Sequence, residues 1–152
     1  MEKRSFGNLG EVSALTLGGG GIGQVWGQKN RQEAVATVRE AVELGITLLD
    51  VAPGYGQGEA ELVIGEAFND HLPDGVRLST KCGIGNLPAG EVLPFLFNSL
   101  QDSLKRMRLG TVDLFFLHNQ ILHDNGEGGS PGTPIGLFRS TVRPAFETLV
   151  RN

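Results

Sequence analysis

Four strand-like runs in this 152-residue chain each end on a glycine or an ionisable residue, and the ends recur at nearly constant intervals. Ala14 to Leu17 runs into Gly18, Ile46 to Leu49 into Asp50, Val76 to Thr80 into Lys81, and Val112 to Leu117 into His118. These ends lie 32, 31 and 37 residues apart. Each interval has room for one strand, one crossover helix and two loops, so the pattern predicts parallel strands joined by right-handed βα units. It also puts a carboxylate, an amine and an imidazole at the same end of neighbouring strands, where α/β folds build their sites.

The segments between the ends agree with this. Residues 4 to 12 read as a small hairpin, with Gly10 supplying a positive φ at its turn. A loop from Gly18 to Lys29 precedes Asn30, a good helix N-cap with Glu33 three residues on. A helix from Arg31 to Leu44 would bury Ala34, Val35, Val38, Ala41 and Val42, one face of a 3.6-residue period. Further helices are expected from about Glu59 to Asn69, burying Leu62, Val63, Ala67 and Phe68, and from about Glu91 to Met107, carrying Leu93, Leu96, Phe97, Leu100 and Leu104. A Gly- and Pro-rich loop of about 23 residues, Asn119 to Thr141, leads to a last helix from about Pro144 to Val150. Loops of that length within a domain are usually functional or disordered. One domain over residues 1–152 is expected.

Side-chain parity puts Asp50, Lys81 and His118 on one sheet face with Leu48, Ser79, Leu114 and Phe116. The opposite face, with Leu49, Leu78, Thr80, Phe115 and Leu117, would meet the helices. Both faces are largely apolar, as in a sheet covered on both sides, yet four helices in singly wound order cover one.

A net charge of −4 gives no general drive toward nucleic acid or an anionic membrane. No apolar run approaches the ~20 residues that span a bilayer, and residues 1 to 5 do not resemble a secretion signal. The single cysteine, Cys82, excludes an intrachain disulfide and fits a reducing compartment, so a cytoplasmic location is expected. Cys82 is read as packing, and His71 and His123 as solvent-facing. No Cys/His cluster has zinc spacing, so no metal is expected.

Asp50, Tyr55, Lys81 and His118 together make a proton-delivering set. An ammonium beside a phenol favours the phenolate, and a carboxylate paired with that ammonium keeps it charged and oriented. A phenol so placed can give a proton to a carbonyl oxygen as it becomes an alkoxide. A neutral imidazole can direct the same oxygen. The hydride for such a reduction must come from a cofactor.

The same residues carry a family resemblance. Asp50-Val51-Ala52-Pro53-Gly54-Tyr55-Gly56-Gln57-Gly58-Glu59-Ala60-Glu61-Leu62-Val63-Ile64-Gly65 resembles the D-x-A-x-x-Y-G-x-G-x-[AS]-E-x-x-[LVI]-G signature of the aldo-keto reductases. Ser79-Thr80-Lys81, Leu117-His118-Asn119 and Val12 to Gly18 resemble the family's third-strand, fourth-strand and first-strand segments. The resemblance implies part of a TIM (β/α)8 barrel, about four βα units preceded by an N-terminal β-hairpin, corresponding to the family's N-terminal half. It implies NADP(H), and no metal. It implies Tyr55 as proton donor, Asp50 and Lys81 as its tuning pair, and His118 as carbonyl orienter. Cofactor contacts are expected at Gly18, Gly19, Gly20, Asp50 and Asn119, and Trp26 lines the substrate pocket or packs under its loop. The implied substrate is an aldehyde or sugar carbonyl, with the sugar- and aldose-dehydrogenase branch the nearer type.

In that family most cofactor contacts come from the second half of the barrel, and none of those maps here, which leaves NAD(H) open beside NADP(H). The alternative expectation is a catalytically inactive half-barrel fragment or assembly subunit, with a homodimer covering the open sheet face. Gly18 to Gly23 also satisfies the dinucleotide pattern G-x-G-x-x-G. That motif needs a helix starting at the glycines, whereas the helix signal here starts near Asn30, which favours the barrel. Glu59 and Glu61 fall in a helix's first turn, where acids suit the macrodipole, and are assigned no catalysis.

Overall fold

The computed structural model describes residues 1–28, 30–124 and 132–151. Strands β1 (Lys3–Ser5) and β2 (Glu11–Ser13) form the antiparallel hairpin around a 3-10 turn at Gly7–Leu9. Gly10 has φ 75° there, and the Phe6 N–H donates to its carbonyl at 2.7 Å. A parallel sheet follows, in the order β3 (Leu17–Gly18), β4 (Leu48–Asp50), β5 (Arg77–Cys82), β6 (Leu114–Leu117). The Asp113 N–H donates to Leu78 O and the His118 N–H to Cys82 O, so β6 rises in the same direction as β5.

The helices are α1 (Arg31–Glu43), α2 (Glu59–Phe68) and α3 (Ala89–Met107). The Asn30 side chain accepts from the Gln32 N–H at 2.9 Å and so starts α1 as its cap. Arg39 Nε donates to Ala67 O at 2.9 Å, satisfying a carbonyl at the end of α2. Short strands β7 (Ile121–Leu122) and β8 (Thr133–Pro134) pair in parallel. A helical run follows as α4 (Ile135–Leu137), a π turn (Phe138–Val142) and α5 (Arg143–Arg151).

The chain divides into two compact units, Met1–Lys81 with Ser103–Phe116, and Cys82–Asp102 with Leu117–Asn152. The first is cored by Val38, Leu49, Val63, Ile64, Leu78 and Met107, and the second by Cys82, Val92, Leu96 and Val142. Among the described residues no helix is long and apolar enough to cross a membrane.

Several expectations need correction. The first strand of the parallel sheet is Leu17–Gly18, not Ala14 to Leu17, and Leu15 is 62% exposed. Ser13 is the cause. Its N–H donates to Thr47 Oγ1 and its Oγ accepts from the Thr47 N–H, both at 2.8 Å, while that Oγ donates to Leu15 O. The chain is fastened at Ser13 and bends outward before rejoining the sheet.

In α2 the expected core residue Leu62 is exposed, and Glu61 is fully buried instead. In α3 the buried stripe runs through Val92, Leu96, Ser103, Leu104 and Met107, leaving Leu93 and Phe97 exposed. The long loop is interrupted by β7, β8 and a helical run that starts at Ile135 rather than Pro144; residues 125–131 of it lie outside the described residues. Pro144 sits inside that run because a π turn precedes it, in which the Arg143 N–H reaches back to Phe138 O.

Candidate active site

Strands β4 and β5 deliver the first three groups. Register pairs Asp50 with Ser79, so Lys81, two residues further along β5, shares their face. Lys81 Nζ donates to Asp50 Oδ1 at 2.8 Å and to Val51 O at 2.9 Å. The Lys81 side chain is 13% exposed and that of Asp50 33%. Ser79 Oγ donates to the same Asp50 Oδ1. The carboxylate is thus held from two sides and holds the ammonium in turn.

Tyr55 joins them from the loop after β4. Lys81 Nζ lies 4.9 Å from the centroid of its half-buried ring, within cation–π range. The ammonium therefore stands over the ring face, between a fixed carboxylate and the phenol. Asp50, Tyr55 and Lys81 come together as the sequence predicts. Ser79 was not singled out, although its two-residue offset from Lys81 was a signal for it.

His118 follows β6 and belongs to the second unit, where its main-chain N–H donates to Cys82 O at 2.8 Å. Its neighbour Asn119 turns its Oδ1 to two backbone donors, the N–H of Ile84 at 2.5 Å and of Gly85 at 3.0 Å. A cofactor contact by Asn119 is thereby limited to its Nδ2, because the oxygen is engaged. Thr133 Oγ1 donates to Gly85 O at 2.9 Å, so this loop is held on both sides.

The glycine loop carries a packing role that its composition does not reveal. The Gly19 N–H donates to Asp50 O at 2.7 Å, and a Cβ on Gly19 would stand 2.9 Å from that oxygen. A Cβ on Gly20 would stand 2.9 Å from Trp26 Cη2, so the indole lies against this glycine. Trp26 is 82% exposed, which removes the reading that it packs under its loop. No helix opens on these glycines, and α1 begins at Arg31, so the dinucleotide alternative falls.

Two ion pairs tie α2 to its neighbours, one to α1 and one to α3. Arg31, at the start of α1, donates Nε to Glu59 Oε1 at 2.8 Å and Nη2 to Oε2 at 2.5 Å. These bonds hold the Glu59 carboxyl below the usual carboxylate range, and the same contact raises Arg31. In the second pair only the carboxylate is buried: Glu61 accepts from Arg106 Nε and from Thr80 Oγ1, each at 2.6 Å. Cys82 is buried next to Lys81, and burial pushes its thiol up.

Comparison with known proteins gives the family and the fold. The model of the aldo/keto reductase family matches residues 14–125. The chain is 33% identical over 125 residues to aldo-keto reductase YhdN of Bacillus subtilis, across 78% of this chain and 38% of that protein. It is 33% identical over 127 residues to L-galactose dehydrogenase of Arabidopsis thaliana, with the same coverage of 78% and 38%. A solved aldo-keto reductase of Klebsiella pneumoniae in complex with NADPH aligns at a TM-score of 0.72 and 28% identity, over 99% of this chain and 46% of that one. The chain thus spans less than half the length of these relatives. Its strand–helix units are a part of the (β/α)8 barrel of such enzymes, as the spacing of the strand ends predicts. With its signature on the second barrel strand and its acid–amine–phenol group assembled at the strand ends, the chain belongs to the aldo/keto reductase family, whose members are oxidoreductases.

Proposed function

We propose that the chain carries the proton-donating part of an NADP(H)-dependent oxidoreductase that interconverts an aldehyde or sugar carbonyl and an alcohol. The observation that carries this reading is the ammonium of Lys81, bonded to Asp50 at 2.8 Å and 4.9 Å from the ring centroid of Tyr55. In this reading Tyr55 gives its proton to the carbonyl oxygen as negative charge builds there. Lys81 supplies positive charge beside the phenol, which stabilises the phenolate left behind. Asp50 keeps the ammonium in place, and Ser79 keeps Asp50 in place. His118 is read, from the family resemblance alone, as the group that directs the carbonyl oxygen.

A nicotinamide cofactor, when bound, would supply the hydride. A Cβ on Gly18 would meet nothing within 4 Å, and Gly18 is in register with Asp50, so the main chain is open beside the carboxylate. Gly18 and Asp50 are groups of the first unit that would hold part of the cofactor; Asn119 is read, from the family resemblance alone, as a contact through its Nδ2. The NADPH complex of the Klebsiella relative supports NADP(H), and the L-galactose dehydrogenase relative supports a sugar-type substrate. Loss of NADPH absorbance with a panel of aldehydes and aldoses tests this, with NADH run in parallel. Turnover on at least one is expected; none across the panel contradicts the proposal.

A second reading, a chain without turnover that associates with a second copy, is favoured by β6. None of its four residues is buried, and Phe116 is 43% exposed. Sedimentation velocity decides it: a dimer is expected, and a stable monomer excludes the homodimer.

A further inference from the structure

The glycine run after β3 begins against Asp50 and ends against Tyr55. The Gly23 N–H donates to Gly19 O at 2.8 Å, closing the run into a tight turn between those two contacts. A Cβ on Gly23 would stand 2.8 Å from Tyr55 O and 2.9 Å from Tyr55 Cβ. Gly56 fits the same joint from the other side. Its φ is +67°, and a Cβ there would stand 1.9 Å from Gly23 O.

The atoms in the way are main chain or the root of a side chain, so no rotamer change relieves the overlap. Nor is the tyrosine's main chain loose. Its N–H donates to Ala52 O at 3.0 Å, and its carbonyl accepts from the Ala60 N–H at 3.2 Å.

From this we infer that Gly23 and Gly56 are positioning residues for Tyr55, seating its main chain so that the phenol ring lies beside the Lys81 ammonium. The inference rests on the reading of Tyr55 as proton donor, and reaches beyond it to the residues that set the donor's place. A side chain at either glycine pushes the donor outward, and displacement of a reacting group by ~1 Å costs up to about 100-fold in rate.

Tyr55 is the only tyrosine of the chain, so its ring resonances identify it without ambiguity. Nuclear Overhauser contacts are measured in the full chain between the Tyr55 ring and the Lys81 ε-methylene, and between Gly23 Hα and Tyr55 Hβ. Both are expected in the parent protein, and absence of the second overturns the inference with no variant needed. Gly23→Ala is expected to weaken the ring–lysine contact and to lower kcat about 10- to 100-fold with the cofactor Kd unchanged. Gly21→Ala serves as control, because its Cβ would meet Trp26 Cζ3 at an ordinary 3.8 Å; it should leave both readings as in the parent.

Combined with Tyr55→Phe, Gly23→Ala should add no further loss in kcat. Full additivity, an unchanged ring–lysine contact, or an equal effect of Gly21→Ala overturns the inference, and so does a Gly23→Ala chain that no longer folds. If Tyr55→Phe alone keeps full turnover, the donor reading falls, while the nuclear Overhauser contacts still test the seating.

Discussion

Glu61 belongs to the family signature, and its buried pairing predicts what its removal does. The carboxylate is 0% exposed, and it accepts from Arg106 Nε and Thr80 Oγ1 at 2.6 Å each. Arg106 Nη2 also donates to Ser103 Oγ at 3.2 Å, and the Arg106 side chain is 28% exposed. Breaking a buried pair from one side costs about 3–5 kcal/mol, because the remaining charge stays desolvated. Arg106→Met leaves the carboxylate wholly buried and belongs at the upper end of that range. Glu61→Ala leaves a guanidinium that still reaches water, and belongs at the lower end. For a domain of this size ~1 kcal/mol moves Tm by about 2–4 °C, so falls of about 6–20 °C are expected. Urea unfolding of both single variants and of the double variant Glu61→Met/Arg106→Met gives the coupling. The double variant should recover much of the loss, since an apolar pair of similar volume leaves no orphaned charge. Single variants within about 0.5 kcal/mol of the parent would refute the reasoning.

Other expectations follow from the same contacts. Gly65→Ala would bring a Cβ to 2.5 Å from Arg106 O, and should destabilise by about 1–3 kcal/mol in urea unfolding. Gly90→Ala, in the first turn of α3 with nothing within 4 Å of the new Cβ, should stabilise by up to about 0.5 kcal/mol, less than an interior position would give; a loss above about 1 kcal/mol would contradict the open space there. Because Arg31 lowers the Glu59 carboxyl in the folded state, the pair's contribution is present above the ordinary carboxylate range and fades as pH falls through and below it. Arg31→Ala should therefore flatten the stability profile on the acid side, by under about 1 kcal/mol given its exposure, and leave neutral-to-alkaline slopes unchanged. Cys82, buried and with its thiol pushed up, should react with a disulfide reagent at the rate of unfolding; rapid labelling of the folded chain would contradict its burial.

What the sequence made legible was local or periodic. Asn30 starts α1 because a cap needs one side chain and one nearby N–H, and Gly10 turns the hairpin for an equally local reason. Asp50 and Lys81 meet because parallel register carries the two-residue period from one strand to the next. Not all of the failures share one cause, and some depend on distant partners. Glu61 was read as a first-turn acid suited to the helix macrodipole, and only Arg106, 45 residues on, explains its burial. The stripe of α3 was misplaced because apolar residues occupy more of its circumference than is buried, with Leu93, Phe95 and Phe97 all exposed. The seating of Tyr55 by Gly23 and Gly56 was hidden for the same reason: glycines in a loop announce freedom, and only the other loop shows that they are there for space.

Central to this account is a phenol that hands over a proton beside a fixed ammonium. The most direct measurement is single-turnover NADPH oxidation by the parent chain and by Tyr55→Phe at saturating aldehyde. General acids of this type contribute about 100- to 10,000-fold, so a loss of at least ~100-fold is predicted with the cofactor Kd unchanged. A Tyr55→Phe rate within about threefold of the parent would contradict the account.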